Sequence, residues 1–171
     1  MMVLETDRLV LSRFTLDDAA FIHELANEPP FLRFVGDRGV RTLDDARAYL
    51  RDGPMASYAQ HGFGLFRTAR KQDHVPIGMC GLLKREALDD VDVGFAFLER
   101  YAGQGYATEA ALATLDYGYH TLGLDRIVAI TSPDNHASVR VLEKLGLHFE
   151  TALDVPEFEA SILYTPDATG P

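Results

Sequence analysis

The 171-residue chain has a single cysteine, no tryptophan and a shortage of basic side chains. One cysteine, Cys80, rules out an internal disulfide framework, so a reducing cytoplasm is the expected compartment. Cys80 lies in an apolar run, where a small buried hydrophobe is the ordinary role. No apolar stretch approaches the ~18 residues of a membrane span, and the N-terminus lacks a signal-peptide profile, so a membrane is not an expected partner. Lys and Arg total 16 against 26 Asp and Glu, a formal charge of −10. That balance argues against nucleic acid, whose backbone demands basic patches, and suits an amine or basic peptide. The six histidines show no paired metal-ligand spacing, and no metal is expected. Linkers and low-complexity tracts are also absent. One domain over 1–171 follows, and 47% apolar residues suffice for a sizeable core.

Periodicity and breakers supply the element order. Strand 8–14, helix 16–27 and helix 43–60 come first, followed by strands 63–70, 75–84 and 90–98. Helix 104–122, strand 126–131, helix 135–145 and strands 147–153 and 160–165 complete the chain. Thr15-Leu16-Asp17-Asp18 and Thr42-Leu43-Asp44-Asp45 read as two N-caps with acidic first turns, not as a repeat. This alternation predicts an α/β layered domain: a mixed central sheet of about six to seven strands, with helices on both faces. Ile127 to Ile130 is apolar on both faces, as a central parallel strand should be.

Two motifs carry chemistry. In the first, the strand ending at Leu98 runs into Arg100-Tyr101-Ala102-Gly103-Gln104-Gly105-Tyr106-Ala107-Thr108-Glu109-Ala110, and a helix runs out. The first amides of a helix lack intrahelical acceptors, and the macrodipole adds positive charge there. Glycines admit an anion close to those N–H groups, so Gly103 to Thr108 is a candidate phosphate seat. A dinucleotide fingerprint would need glycine at Thr108, and no P-loop spacing occurs. The second motif is Asn135-His136-Ala137-Ser138-Val139-Arg140-Val141-Leu142-Glu143-Lys144-Leu145-Gly146-Leu147. Asn135 is a good N-cap and Gly146 a good left-handed terminator.

Together, Arg-x-x-Gly-x-Gly before a long helix and Asn-x-x-Ser-x-x-x-Leu-Glu-Lys-Leu-Gly resemble the cofactor motifs of the GNAT N-acetyltransferase superfamily. Glu5-Thr6-Asp7-Arg8-Leu9 is similar to the opening of its RimJ/RimL-like branch, the ribosomal-protein N-terminal acetyltransferases. Ile77-Gly78-Met79-Cys80-Gly81-Leu82 resembles the branch's third strand. The likeness covers residues 5 to 164. It implies a sheet splayed between its two central strands, with acetyl-CoA entering the gap and its pyrophosphate on Gly103, Gln104, Gly105, Tyr106, Ala107 and Thr108. It also implies backbone contacts to the pantetheine arm at Ala96, Phe97 and Leu98. Arg100, Arg140 and Lys144 are the nearby cations that would offset the phosphates, although a lysine at a helix C-terminus has the dipole as its own reason.

Acetylating an amine needs a base, an N–H donor for the thioester carbonyl and a proton for the leaving thiolate. Asp92 is the candidate base. It stands in an apolar strand where desolvation raises a carboxyl pKa, at the place of a glutamate in histone-acetylating relatives. Its shorter side chain favours a water relay, and merely positioning the amine is the alternative. Gly94 reads either as a bulge freeing N–H groups or as close packing. Asn135 is placed to bridge the cofactor arm while capping its own helix. Ser138 either faces the sulfur as the acid, as the family's helix implies, or is an exposed first-turn serine. Ala102 replaces a common tryptophan, Leu147 replaces phenylalanine, and segment 154–160 before the last strand is short.

The expected function is transfer of an acetyl group from acetyl-CoA to a primary amine, by direct attack in a ternary complex. The acceptor is a protein N-terminus or a small-molecule amine, drawn by the acid-rich segments 86–92 and 154–159. The alternative is a catalytically silent acyl-CoA-binding regulatory module. A homodimer is compatible with the family.

Overall fold

The computed structural model describes residues 1–154, 156–158 and 160–167. A single eight-stranded mixed sheet organises them, one strand more than the upper count read from sequence. The strands are β1 (Met2–Glu5), β2 (Leu9–Ser12), β3 (Leu65–Arg70), β4 (Pro76–Leu83), β5 (Val91–Phe97), β6 (Ile127–Thr131), β7 (His148–Ala152) and β8 (Ile162–Thr165). Their spatial order is β1-β2-β3-β4-β5-β6-β8-β7. Every neighbouring pair is antiparallel except β5–β6. The helices are α1 (Ala19–Ala26), α2 (Pro29–Phe34), α3 (Leu43–Leu50), α4 (Ala56–His61), α5 (Tyr106–Asp116) and α6 (His136–Lys144).

Local chemistry accounts for most boundaries. Thr42 accepts from the Asp45 N–H (3.0 Å) while the Asp45 carboxylate accepts from Thr42 N–H (3.1 Å), a complete capping box. Thr15 and Asp18 form another, which opens a 3₁₀ turn ahead of α1. The helix expected over 43–60 is present but not uniform. Pro54 lacks an N–H, and the chain passes through a π-type turn at Arg51–Met55 before α4 ends at left-handed Gly62. Helix 104–122 likewise becomes α5 followed by a π-type turn at Tyr117–Thr121.

Two elements lie outside the sequence reading. β1 is an edge strand, half-buried or exposed at each residue, and shows no clean alternation. In α2, Pro29 and Pro30 occupy the first turn, where missing N–H groups cost nothing.

The core lies on both faces of the sheet. On one, Leu9, Leu11, Phe66, Ile77, Leu82 and Ile127 pack beneath Ala110, Ala111 and Leu115 of α5. On the other, Met79 and Leu98 meet Ile22 and Leu25 of α1 and Ala46 and Leu50 of α3. β4 is buried without a break from Ile77 to Leu82, as the centre of a two-faced sheet requires.

The feature that matters for function is a parting of β5 from β6. They pair only at Val91↔Ile127 and Asp92↔Val128. Beyond Asp92, β5 continues alongside β4 as far as Phe97↔Gly78, whereas β6 turns to β8 through Ala129↔Tyr164, Ile130↔Leu163 and Thr131↔Ile162. Each strand follows its outer neighbour, and the twist of a sheet carries the two apart. The expected splay is therefore present.

Close approach at Gly81 locks β3 against β4. A Cβ there would stand 2.0 Å from the Gly64 carbonyl oxygen, a backbone atom that cannot step aside. Gly81→Ala is expected to lower stability by about 1–3 kcal/mol, as overpacking does. Gly53→Ala, in open space, should be neutral or stabilising by up to about 1 kcal/mol. Urea midpoints of the two variants test this, and equal midpoints would contradict it.

Candidate active site

The glycine loop has the backbone that its sequence demands. Gly103 (φ 76°) and Gly105 (φ 81°) are both left-handed, and Gly105 is the N-cap of α5. The helix closes its first turn with Glu109 N–H donating to Gly105 C=O (3.0 Å). The N–H groups of Tyr106, Ala107 and Thr108 precede that bond and have no intrahelical acceptor. Nothing stands within 4 Å of a Cβ placed on Gly103, so the approach to the loop is open.

A cation not singled out from the sequence stands beside this loop. Arg100 pairs with Glu24 of α1 (2.6 Å) and stacks on Tyr101. Arg8, from the β1–β2 turn, lies instead with its guanidinium 4.3 Å over the Tyr106 ring and 3.4 Å from where a Cβ on Gly105 would sit. Glu109 in the first turn of α5 holds it there. Its carboxylate accepts from Arg8 Nε (2.7 Å), Arg8 N–H (3.0 Å) and Thr6 Oγ1 (2.5 Å). Burial pushes the Glu109 pKa up, but the Thr6 and Arg8 bonds outweigh it and keep the carboxyl below its usual range. Lys144 and Arg140 are exposed on α6. Three of these residues, Thr6, Arg8 and Glu109, were quoted in sequence motifs, but only the fold joins them.

A cleft of about 530 Å³ occupies the parting of the strands. Asp92, Gly94, Phe95 and Ala96 line it from β5, Thr131 and Ser132 from the end of β6, and Asn135 and Ser138 from α6. Four residues proposed from sequence thus share one cavity: Asp92, Ala96, Asn135 and Ser138. Ser138 lies on the cleft wall and is only half-buried. Its N–H donates to Asn135 Oδ1 (3.2 Å), so the cap that starts α6 also holds the backbone that carries its hydroxyl.

Register decides which β5 backbone groups are free. Leu98 N–H donates to Ile77 C=O (2.8 Å). In an antiparallel ladder alternate residues point both backbone groups at the same neighbour, so Leu98, Ala96 and Gly94 are committed to β4. The Val93 N–H closes the last rung to β6, at Asp92↔Val128, and beyond it Phe95 and Phe97 present theirs to the gap. Of the three residues whose backbone was expected to meet a pantetheine arm, Phe97 turns toward the gap, as Phe95 does, while Ala96 and Leu98 turn to β4. Gly94 opposes Gly81 with no register shift between β4 and β5, so it is close packing and not a bulge.

Asp92 is 1% exposed and accepts from Arg85 Nε at 2.9 Å. Burial raises its pKa, and the Arg85 charge and hydrogen bond oppose that rise without cancelling it. Arg85 in turn lies 5.5 Å over the ring of Phe158, in the 3₁₀ turn Pro156–Phe158. Of the acids expected to attract a cation, Asp90 is taken by Arg126 (2.5 Å) and Asp92 by Arg85. Val155 and Glu159, within the other acid-rich segment, lie outside the described residues. Cys80 is fully buried beside Thr114, and burial pushes its thiol up to about 12, which removes it as a nucleophile. Among the described residues no three His, Cys, Asp or Glu side chains are grouped to hold a metal, and no helix is long and apolar enough to cross a membrane.

Residues 8–148 match the family model for the acetyltransferase (GNAT) domain. The chain belongs to the GNAT acetyltransferase family. Among its relatives is the spermidine N(1)-acetyltransferase of Escherichia coli strain K12, 36% identical over 137 residues, which cover 80% of this chain and 71% of the relative. An acetyltransferase of Agrobacterium tumefaciens str. C58 superposes with a TM-score of 0.81 at 25% identity, over 96% of this chain and 93% of that one. RimL, a ribosomal L7/L12 α-N-protein acetyltransferase solved in complex with coenzyme A, has the same fold. Its TM-score is 0.82 at 15% identity, over 96% and 97% of the two chains. This GNAT acetyltransferase thus shares its fold with an N-terminal acetyltransferase, as its opening motif led one to expect.

The buried Asp92 makes stability depend on pH with a definite sign. Its folded-state pKa is raised, so the native state holds a proton that the unfolded chain releases above about pH 4. Stability falls as pH rises from there to the raised folded-state pKa. Asp92→Asn lacks this slope and should lose less stability across that window. Urea midpoints between pH 4 and pH 8 test the difference, and parallel profiles would contradict it.

Proposed function

We propose that this acetyltransferase moves the acetyl group of acetyl-CoA to a primary amine by direct attack in a ternary complex. The observation that carries the reading is the parting of β5 and β6 after Asp92, which brings a buried carboxylate, free strand amides and the Ser138 wall into one cleft. The residues fit acetyl-CoA as co-substrate. The open glycine loop, the amides of Tyr106 to Thr108 and the Arg8 guanidinium suit a pyrophosphate, and the gap-facing backbone of Phe95 and Phe97 suits an amide-rich arm. Bound there, acetyl-CoA supplies an activated acyl carbon and a good leaving group.

The protein's own groups do the rest. Asp92 is too enclosed to touch a substrate amine directly, and Arg85 holds one of its oxygens. It takes the ammonium proton through a water, and its raised pKa brings it nearer the working pH than a surface carboxylate. The freed amine attacks the thioester carbonyl, and a gap-facing β5 N–H stabilises the developing oxyanion. As the C–S bond breaks, Ser138 passes its hydroxyl proton to the leaving thiolate and takes the remaining extra proton of the attacking nitrogen, so the serine ends as it began. A silent acyl-CoA-binding module would have no use for a buried carboxylate held beside the gap, which favours the enzyme.

Thiol release from acetyl-CoA with a panel of amines is the test. Asp92→Asn is expected to lower kcat by 10²-fold or more, in the range of general-base catalysis, with acetyl-CoA affinity little changed. The acid limb of kcat/KM should report the Asp92 pKa. Arg85→Gln, which removes the influence opposing burial, should move that limb to higher pH. Near-native turnover in Asp92→Asn, or a limb that stays in place in Arg85→Gln, would contradict these roles. Ser138→Ala within twofold of the native rate, under ~0.5 kcal/mol, would remove the serine from the acid step.

A further inference from the structure

The acceptor half of the cleft has a charge pattern that the acetyl-transfer reading does not use. Beyond Asp92 the wall is formed by α2, the loop after it, α3 and the turn into α4, with Arg38, Tyr49 and Asp52 facing the cavity. Their charges are unevenly satisfied. Asp52 pairs with Arg51 (3.2 Å), and Asp92 with Arg85 (2.9 Å). Lys84 donates to the carbonyls of Arg85 (2.8 Å) and Leu88 (2.5 Å).

Arg38 stands apart. Its neighbour Asp37 is bound by Arg41 (3.0 Å). Its own single hydrogen bond among the described residues is a long one, 3.4 Å, to the Val35 carbonyl. Arg38 is exposed, and a guanidinium has five N–H donors in a planar fork that matches a carboxylate, so most of this donor set faces water at the cleft wall, where a carboxylate can replace it. The Tyr49 hydroxyl shares the cavity and makes no hydrogen bond among the described residues. Arg38 and Arg85 both pull the Tyr49 pKa down against the burial that raises it, so both guanidinium charges are felt at this one hydroxyl. Among the acids of the wall, Glu157 alone lacks a basic partner within the described residues. A polyamine, with a positive charge every few carbons, would place its second ammonium in a region held by Arg38 and Arg85. An amine that carries a carboxylate would meet a donor fork and a phenol there.

We propose that the acceptor is an amine bearing a carboxylate, as in a free amino acid, with that carboxylate bound by Arg38 and Tyr49 and the amine directed toward Asp92. This rests on the acetyl-transfer reading for its chemistry, but the anion seat stands on Arg38 and Tyr49 alone. Selectivity then comes from attraction of the carboxylate and from repulsion of a second cation. The 36%-identical spermidine acetyltransferase would differ from this chain in acceptor class while sharing its fold.

The experiment compares free amino acids of graded length, their methyl esters and spermidine, using the full chain, Arg38→Gln and Arg38→Lys, with thiol release as readout. The free acids are expected to exceed both the esters and spermidine in kcat/KM by about tenfold or more, a difference of ~1.4 kcal/mol. Arg38→Gln should shrink that margin to within about twofold through KM, and Arg38→Lys should keep part of it, as a point charge without the fork. Preference for spermidine or the esters, or a margin that survives in Arg38→Gln, overturns the proposal. If no amine releases thiol, acetyl transfer fails as a reading and calorimetry with coenzyme A present decides the seat. Binding of free acids that Arg38→Gln weakens tenfold sustains it, whereas no binding, or equal binding by the variant, overturns it.

Discussion

β5 shares its hydrogen bonds with β4 along its whole length, and β6 gives most of its own to β8. Only Val91 and Asp92 of β5 are left to hold the two halves of the sheet together. Unpaired backbone N–H and C=O groups inside a sheet are costly, and a protein keeps them only where something else satisfies them. Phe95 and Phe97 therefore expose a strip of backbone chemistry with no backbone partner among the described residues. The cleft, the buried carboxylate at its head and the α6 wall all follow from that parting.

The glycine loop proposed to seat the pyrophosphate is anchored independently of the gap. Glu109 sits one turn into α5 and draws Thr6 and Arg8 from the first hairpin onto the helix start. That contact joins residues 101 to 103 positions apart in sequence and ties the first hairpin to the start of α5. It also puts Arg8 beside the glycine loop. In an acidic chain the local positive charge at an anion site has to be imported, and here it comes from the far end of the sheet. Asp92 follows the same logic: burial alone would favour its neutral form, and Arg85 moderates that so the carboxyl stays within reach of ionisation.

Features with local causes were legible in the sequence. The left-handed Gly103 and Gly105, the Asn135 cap over Ser138 and the capping boxes at Thr15 and Thr42 each depend on a few adjacent residues. The raised carboxyl pKa of Asp92 was legible because it interrupts an apolar strand, where burial disfavours the charge. What escaped depends on pairing. Arg85 meets Asp92 only because the chain reverses between β4 and β5, and Arg8 meets Glu109 only across the sheet. The choice of Phe95 over Ala96 for a free backbone follows from register, which one strand's residue types do not encode. β1 escaped because an edge strand half-buried on both sides shows no period. α2 escaped because two prolines usually mark a turn, although they are harmless in a first helical turn. In the acid-rich segment 86–92, Asp90 and Asp92 are paired with Arg126 and Arg85, which composition does not reveal because it counts charges and not their partners.

The account stands or falls on the claim that the gap-facing backbone of β5 is the seat of the acyl-CoA arm. Amide hydrogen exchange, resolved by residue with and without saturating coenzyme A, tests it directly. New protection is expected at Phe95 and Phe97, with the α5 amides of Tyr106 to Thr108 slowing in parallel, and little change at Ala96 and Leu98, which already bond to β4. Coenzyme A binding that leaves Phe95 and Phe97 exchanging as in the free protein would contradict it.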